Sequence, residues 1–195
     1  MLFSDVLEVD MTIPIVVQHR HVHVSEADAL ILFQSTDLET STVIDQRNQF
    51  VAKQTVSIHG PSGTFEKVCV IGPVRSHTQV ELSSSDAFAI GVNAPLRISG
   101  DLDRSASVIL KTDFGEVRAK ASTIIPIRHL HLSPQMAKEL NISHHDVISL
   151  RVKDREQMMF DHVVVRVHPT FIPAFHLTKD EAAPQWIQTG DSVIL

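Results

Sequence analysis

Two stretches of this chain share one grammar. "RHVHVSEAD" runs from Arg20 to Asp28, and "RHLHLSPQM" runs from Arg128 to Met136, 108 positions further on. Each reads Arg-His-x-His-aliphatic-Ser. On a strand, residues two apart project from the same face. His21 and His23 therefore stand side by side, and so do His129 and His131. Two neutral imidazoles at that spacing can both reach one ion at about 2.0–2.1 Å. A single pair is as readily a polar lining hydrogen-bonded to backbone. Two pairs in the same local setting point to metal ligands. Two histidines do not complete a site, so a third ligand must come from elsewhere. Glu81, in "TQVELSSSD", and His176, in the apolar "IPAFHLT", are candidates, because an isolated carboxylate or imidazole in such a setting demands a partner. His59, His77, His162 and His168 compete with them. His144-His145 reads as a solvated turn.

The elements around these residues are mostly strands. "IPIVVQ" (13–18) is β-branched and leads into the first histidine pair. Alternation around turn residues marks three strand pairs, at 54–73, 107–127 and 146–168, and "DSVIL" ends the chain as a last strand. Helices are few and short. Ser25 caps one, with Asp28 three residues on as in a capping box. Ser133 caps a second with Pro134 at its first position. Ser83 caps a third that Gly91 closes. Strand, His-x-His, Ser cap and short helix thus occur twice. The expected fold is mainly β: two small β-barrel domains with short capping α-helices, related by a weak internal duplication. The expected boundary is near Pro126, giving 13–126 and 127–195, with residues 1–12 packing on the second unit.

Bulk properties exclude several function classes. The 195 residues are 43% hydrophobic and 21% charged, as in an ordinary globular protein. A net charge of −6 leaves no basic footprint for nucleic acid. No apolar run approaches a membrane span. The start is not a secretory signal, since Asp5, Glu8 and Asp10 interrupt it. The lone cysteine, Cys69, rules out an internal disulfide framework and suits a cytoplasmic location. It lies in an alternating strand and reads as a core residue. Twelve histidines are the outlier. The chain lacks the His-x-His-x-Asp-His of metallo-β-lactamases. Its Glu26 is also misplaced for a cupin.

Four segments in one order carry a resemblance. They are "RHVHVS", "GPVRSHTQVELSSSDAFAIGVNAPLRISGDL", "IIPIRHLHLSP" and "FDHVVVRVHPTFIPAFHLTKDEA". Together they resemble the PduL-type phosphate propanoyltransferases (phosphotransacylases) from about Ile13 to Glu181. The resemblance implies two small barrels, two zinc ions per chain, and interconversion of acyl-CoA plus phosphate with acyl phosphate plus coenzyme A. It implies one zinc on His21, His23 and Glu81, and another on His129, His131 and His176. It makes Arg75, in "GPVR", the phosphate-contacting residue, and it associates Phe88 with coenzyme A. Arg97 and Ser99 belong to the family signature without an assigned role. His19 stands where the family usually has Asn, which would alter the surroundings of the first zinc. The resemblance also implies a homodimer. Members that enter bacterial microcompartments usually carry a longer N-terminal extension, so encapsulation is not expected here. Leu2, Phe3, Val6 and Leu7 are expected to dock on the body instead.

No Gly-x-Ser-x-Gly elbow is present, so direct attack by phosphate is simpler than an acyl-enzyme. Two other readings stand beside this one. A zinc-dependent thioester hydrolase would ignore phosphate. A metal-stapled scaffold would use closed four-ligand sites.

Overall fold

Alternation and turn chemistry pair the strands much as expected. The structure, a computed structural model, describes residues 11–44, 46, 48–155 and 157–195. The first half contains β1 (Thr12–Gln18), β2 (His21–His23), α1 (Glu26–Phe33), β3 (Thr40–Val43), β4 (Phe50–His59), β5 (Thr64–Gly72), β6 (Gln79–Glu81), α2 (Ser84–Ala89), β7 (Leu96–Arg97), β8 (Ala106–Lys111) and β9 (Glu116–Pro126). The second contains β10 (His129–Leu132), α3 (Pro134–Glu139), β11 (Val147–Val152), β12 (Met159–Val167), β13 (Ala174–Thr178), α4 (Lys179–Ala182), a 3-10 turn and β14 (Ser192–Ile194). Residues 1–10, with the docking expected for Leu2, Phe3, Val6 and Leu7, lie outside the described residues.

The strands close two six-stranded rings. One runs β4-β5-β2-β6-β9-β8 and closes because β8 pairs both β9 and β4; β3 and β7 extend it. The other runs β11-β12-β10-β13-β1-β14. The rings match position by position. β2 lies between parallel β5 and antiparallel β6, as β10 lies between parallel β12 and antiparallel β13. β6 then runs parallel to β9, as β13 runs parallel to β1. The duplication expected from the motifs is thus a duplication of topology.

One expectation is corrected. β1 belongs to the second barrel, where it pairs with β13 and β14 and buries Ile13 and Ile15 in that core. The chain then crosses at His19–Arg20 into the first barrel. It crosses back at Ile127–Arg128, after β9. The histidine pairs therefore do not prolong the preceding strands but begin new ones in the other barrel. Local alternation shows that a segment is a strand, and says nothing about which sheet receives it.

Each strand that carries a candidate ligand feeds its alternate residues to its own core. Val22, Val24, Val80 and Leu82 lie in the first core. Leu130, Leu132, Phe175 and Leu177 lie in the second. His21, His23, Glu81, His129, His131 and His176 must then face out of their barrels. Yet their exposures are only 8, 3, 2, 4, 4 and 3%. An outward residue that is buried is covered by something else, and here that is the seam between the barrels. Among the described residues, no helix is long and apolar enough to cross a membrane.

Candidate metal centre

Backbone register gathers the side chains. On β2 and β6, His21 lies opposite Glu81. On β10 and β13, His129 lies opposite His176. His23 and His131 stand two residues further along the same faces. The result is two groups, His21/His23/Glu81 and His129/His131/His176, each with its candidate ligand atoms within 4.8 Å of one another.

Each pair ends at a helix whose capping serine fixes the strand exit. The Asp28 and Met136 N–H groups donate to the hydroxyls of Ser25 and Ser133 at 3.1 and 3.3 Å. The capping box expected at Asp28 is modified. The Ser25 N–H donates to Thr78 Oγ1, and the Thr78 hydroxyl in turn donates to the Asp28 carboxylate. Ser83 caps α2 in the same way, through Asp86 N–H at 3.2 Å. At α4, Glu181 accepts from both the N–H and the hydroxyl of Thr178, at 2.9 and 2.8 Å.

The tautomers favour coordination through Nε2. His21 Nδ1–H donates to the His19 carbonyl at 2.9 Å, and His129 Nδ1–H donates to the Ile127 carbonyl at 2.8 Å. His23 Nδ1–H donates to the Ile71 carbonyl at 3.1 Å. A carbonyl only accepts, so these rings present a bare Nε2. His19 acts here through its backbone, a contact that does not depend on its side chain.

Burial favours the neutral form of His23, His129, His131 and His176, the form a ligand must take. It pushes His23 and His176 well below the ordinary histidine range and holds His129 at about 4. Burial and the neighbouring His176 and His129 lower His131 further. Glu81 behaves oppositely. Burial works against its charge, but His21, His23, Ser99 and His129 together hold it down at about 2. Influences of His129 on Glu81 and of His21 on His176 cross the seam, so the two groups are electrostatic neighbours.

The residues fit a metal by their unmet needs. Among the described residues, Glu81 Oε2, His131 Nε2 and both ring nitrogens of His176 are buried without a hydrogen-bond partner, and Glu81 Oε2 lies 3.5 Å from His21 Nε2. Buried polar atoms are normally satisfied. Two imidazoles with a carboxylate, and three imidazoles, are donor sets suited to zinc, and three ligands leave a position open.

Cations border the groups. Arg75 is tied to the end of β2, donating its N–H to the Val24 carbonyl at 2.8 Å. Burial lowers the Arg75 pKa, Glu81 opposes that, and Arg166 adds to it. Arg166, opposite His131 on β12, is also half-buried, and its Nε lacks a hydrogen-bond partner among the described residues. Its charge is felt at His129, His131 and His176. The sequence reading missed it, since a lone Arg in "VVVRVH" carries no local signal.

Gln79 was also missed. Its side-chain N–H groups donate to Glu81 Oε1 at 2.6 Å and to Ser99 Oγ at 2.8 Å, and its Oε1 accepts from Gly100 N–H at 2.9 Å. Ser99 thus gains a place beside Glu81. Arg97 instead braces its own loop, donating to the Asp103 and Leu96 carbonyls. A further signal was available for the third members. His23-Val24-Ser25, Glu81-Leu82-Ser83, His131-Leu132-Ser133 and His176-Leu177-Thr178 all read ligand, aliphatic, hydroxyl cap.

The remaining candidates lie apart. His59 bonds Ser57 and Thr64, His77 lies beside Ser76, and His168 lies beside Thr170. His162 is exposed, and His144 and His145 form an exposed turn. Phe88 is 88% exposed on α2, outside both groups. Cys69 is corrected from core to exposed: it sits opposite His21 in register and shares its outward face.

Comparison with known proteins adds to this geometry. A family model described as phosphate propanoyltransferase matches residues 14–188. A phosphate propanoyltransferase of Escherichia fergusonii is 40% identical over 171 residues, spanning 87% of this chain and 81% of the relative. That of Shewanella putrefaciens is 39% identical over 183 residues, spanning 93% and 87%. That of Thermotoga maritima is 38% identical over 181 residues, spanning 92% and 86%.

Proposed function

The chain belongs to the phosphate propanoyltransferase family, and from that membership we propose that it interconverts propanoyl-CoA or acetyl-CoA plus phosphate with the acyl phosphate plus coenzyme A. It is a phosphate acyltransferase. In this reading, His21, His23 and Glu81 hold one zinc ion, and His129, His131 and His176 hold a second. The observation that carries it is the pair of buried ligand groups, with orphaned donor atoms, beside two half-buried arginines.

When bound, zinc would supply positive charge toward phosphate and the carbonyl oxygen, and a soft acceptor for a departing thiolate. The protein's own part is placement. Arg75 receives phosphate, since its planar fork matches a tetrahedral oxyanion. Arg166 adds charge to the same seam, and the two guanidiniums offset the repulsion between phosphate and coenzyme A. A phosphate oxygen attacks the thioester carbonyl, forming the C–O bond. The C–S bond then breaks, and the electron pair leaves with the thiolate of coenzyme A. The guanidiniums stabilise the oxyanion that develops between these steps. Phe88 offers an exposed ring on which the adenine of coenzyme A can stack. Burial in the seam excludes water, which protects the acyl group from hydrolysis.

The test is thiol release by purified protein of known metal content, with acetyl-CoA and propanoyl-CoA, with and without phosphate. Release that requires phosphate, with about two zinc ions per chain, supports the reading. Release without phosphate would instead identify a hydrolase. No release from folded, fully loaded protein would leave the two clusters as structural staples.

A further inference from the structure

The two ligand groups sit on different barrels, so some contact must set how far apart they stand. The first turns of α2 and α4 meet across the seam. Ser85 donates its N–H and its hydroxyl to the Asp180 carboxylate, at 2.6 and 2.7 Å. Beside this contact, Lys179 Nζ donates to Asp86 Oδ1 at 2.7 Å, and Arg20 donates to the same oxygen at 3.1 Å. Asp86 is buried, with 3% exposure. Arg20 immediately precedes His21, Asp86 follows Glu81 by five positions, and Lys179 follows His176 by three. One carboxylate oxygen therefore receives a cation from the first group's strand and a cation from the second group's helix.

The duplication isolates what is special here. In the second barrel, Arg128 precedes His129 and pairs with Glu181 at 3.6 Å, as Arg20 pairs with Asp86. Asp86 and Glu181 both lie three residues after their caps. That pair holds each histidine strand to the helix that follows its own third ligand. Lys179 breaks the pattern: it corresponds to Ser84 in the first barrel, and it reaches across. We propose that Asp86 and Lys179 are positioning residues that set the separation of the two metal groups, so that one phosphate and one thioester are held between them. This rests on the transferase reading for its consequence in turnover, but the separation itself can be measured independently.

Lys179 is the cleaner probe, because Asp86 keeps Arg20 when Lys179 is removed. Lys179→Met and Lys179→Arg would be compared with wild type in three respects: metal stoichiometry, kcat and KM for phosphate, and the EPR dipolar coupling of protein loaded with two Cu(II) ions. Copper is chosen because it binds such sites tightly. In Lys179→Met, the expected result is two bound ions, an unchanged circular dichroism spectrum and a weaker or dispersed dipolar coupling. Its kcat should fall about 100-fold, as a misplacement near 1 Å can cause, while KM changes little. Lys179→Arg should restore both coupling and kcat. A Lys179→Met protein with wild-type coupling and kcat would overturn the proposal. So would loss of one ion, which would mean site-holding rather than spacing, failure of Lys179→Arg to restore, or uncoupled ions in wild type. If wild type shows coupled ions but no phosphate-dependent turnover, the transferase reading fails while the coupling still decides the positioning role.

Discussion

In the first barrel the third member of the ligand group, Glu81, lies opposite His21 across β2 and β6; in the second, His176 lies opposite His129 across β10 and β13. The frames are equivalent, and the differences follow from that one exchange. A buried carboxylate needs its charge met and its orientation fixed. Gln79, anchored by Ser99 and Gly100, does the second. The position equivalent to Gln79 in the second barrel is Ala174, whose side chain offers no hydrogen bond. An imidazole placed by strand register does without that help. The first group would bring one negative charge to an ion, and the second would bring none. With a divalent ion in each, the second is the more electropositive, and Arg166 stands on its side.

Substitutions can break this comparison. The largest effects belong to the exchanged residues. Glu81→Ala and His176→Ala should each lose about one of two ions and nearly all turnover, checked by elemental analysis and thiol release. Full metal content in either protein would remove that residue from its ligand set.

Next comes Arg75→Ala, which tests whether the seam needs its guanidinium. Activity should fall about 10²–10³-fold, as when a developing charge loses a preorganised donor. The KM for phosphate should rise while metal content stays near wild type. Wild-type kinetics would exclude Arg75 from the mechanism.

Gln79→Ala sharpens the asymmetry itself. It should weaken metal affinity about 10–100-fold at the first group alone, read by competitive titration against a chelator of known affinity. Equal weakening at both groups would show that Gln79 supports the seam rather than Glu81.

The smallest effect is expected at Cys69, which sits opposite His21 where Val164 sits opposite His129. Cys69→Ser should keep turnover within about twofold, since direct attack by phosphate needs no acyl-enzyme. A folded but inactive Cys69→Ser would reopen the covalent route.

The histidine pairs were legible because their signals are local. Two histidines on one face of a strand, followed by an aliphatic residue and a hydroxyl cap, fall within six positions. The hydroxyl caps at Ser25, Ser83 and Ser133 were legible for the same reason, and Thr178 follows the same rule. Arg166 and Gln79 were not legible, because each acts through a neighbour on another strand. The exposure of Cys69 was hidden too: an alternating strand has two faces, and the sequence does not say which one meets the core.

By itself, then, the sequence determined the three strand pairs, the serine caps, the repeated His-x-His plan and the two-unit architecture, all consequences of short-range periodicity and capping chemistry. Only the tertiary structure decided that β1 and β9 each lie in the barrel opposite the histidine strand that follows. It also placed Glu81 opposite His21 and His176 opposite His129, and closed the seam over six outward-facing candidate ligands. Those outcomes depend on pairing between distant segments. A period of two residues sets a strand's faces but is blind to the partner that covers them.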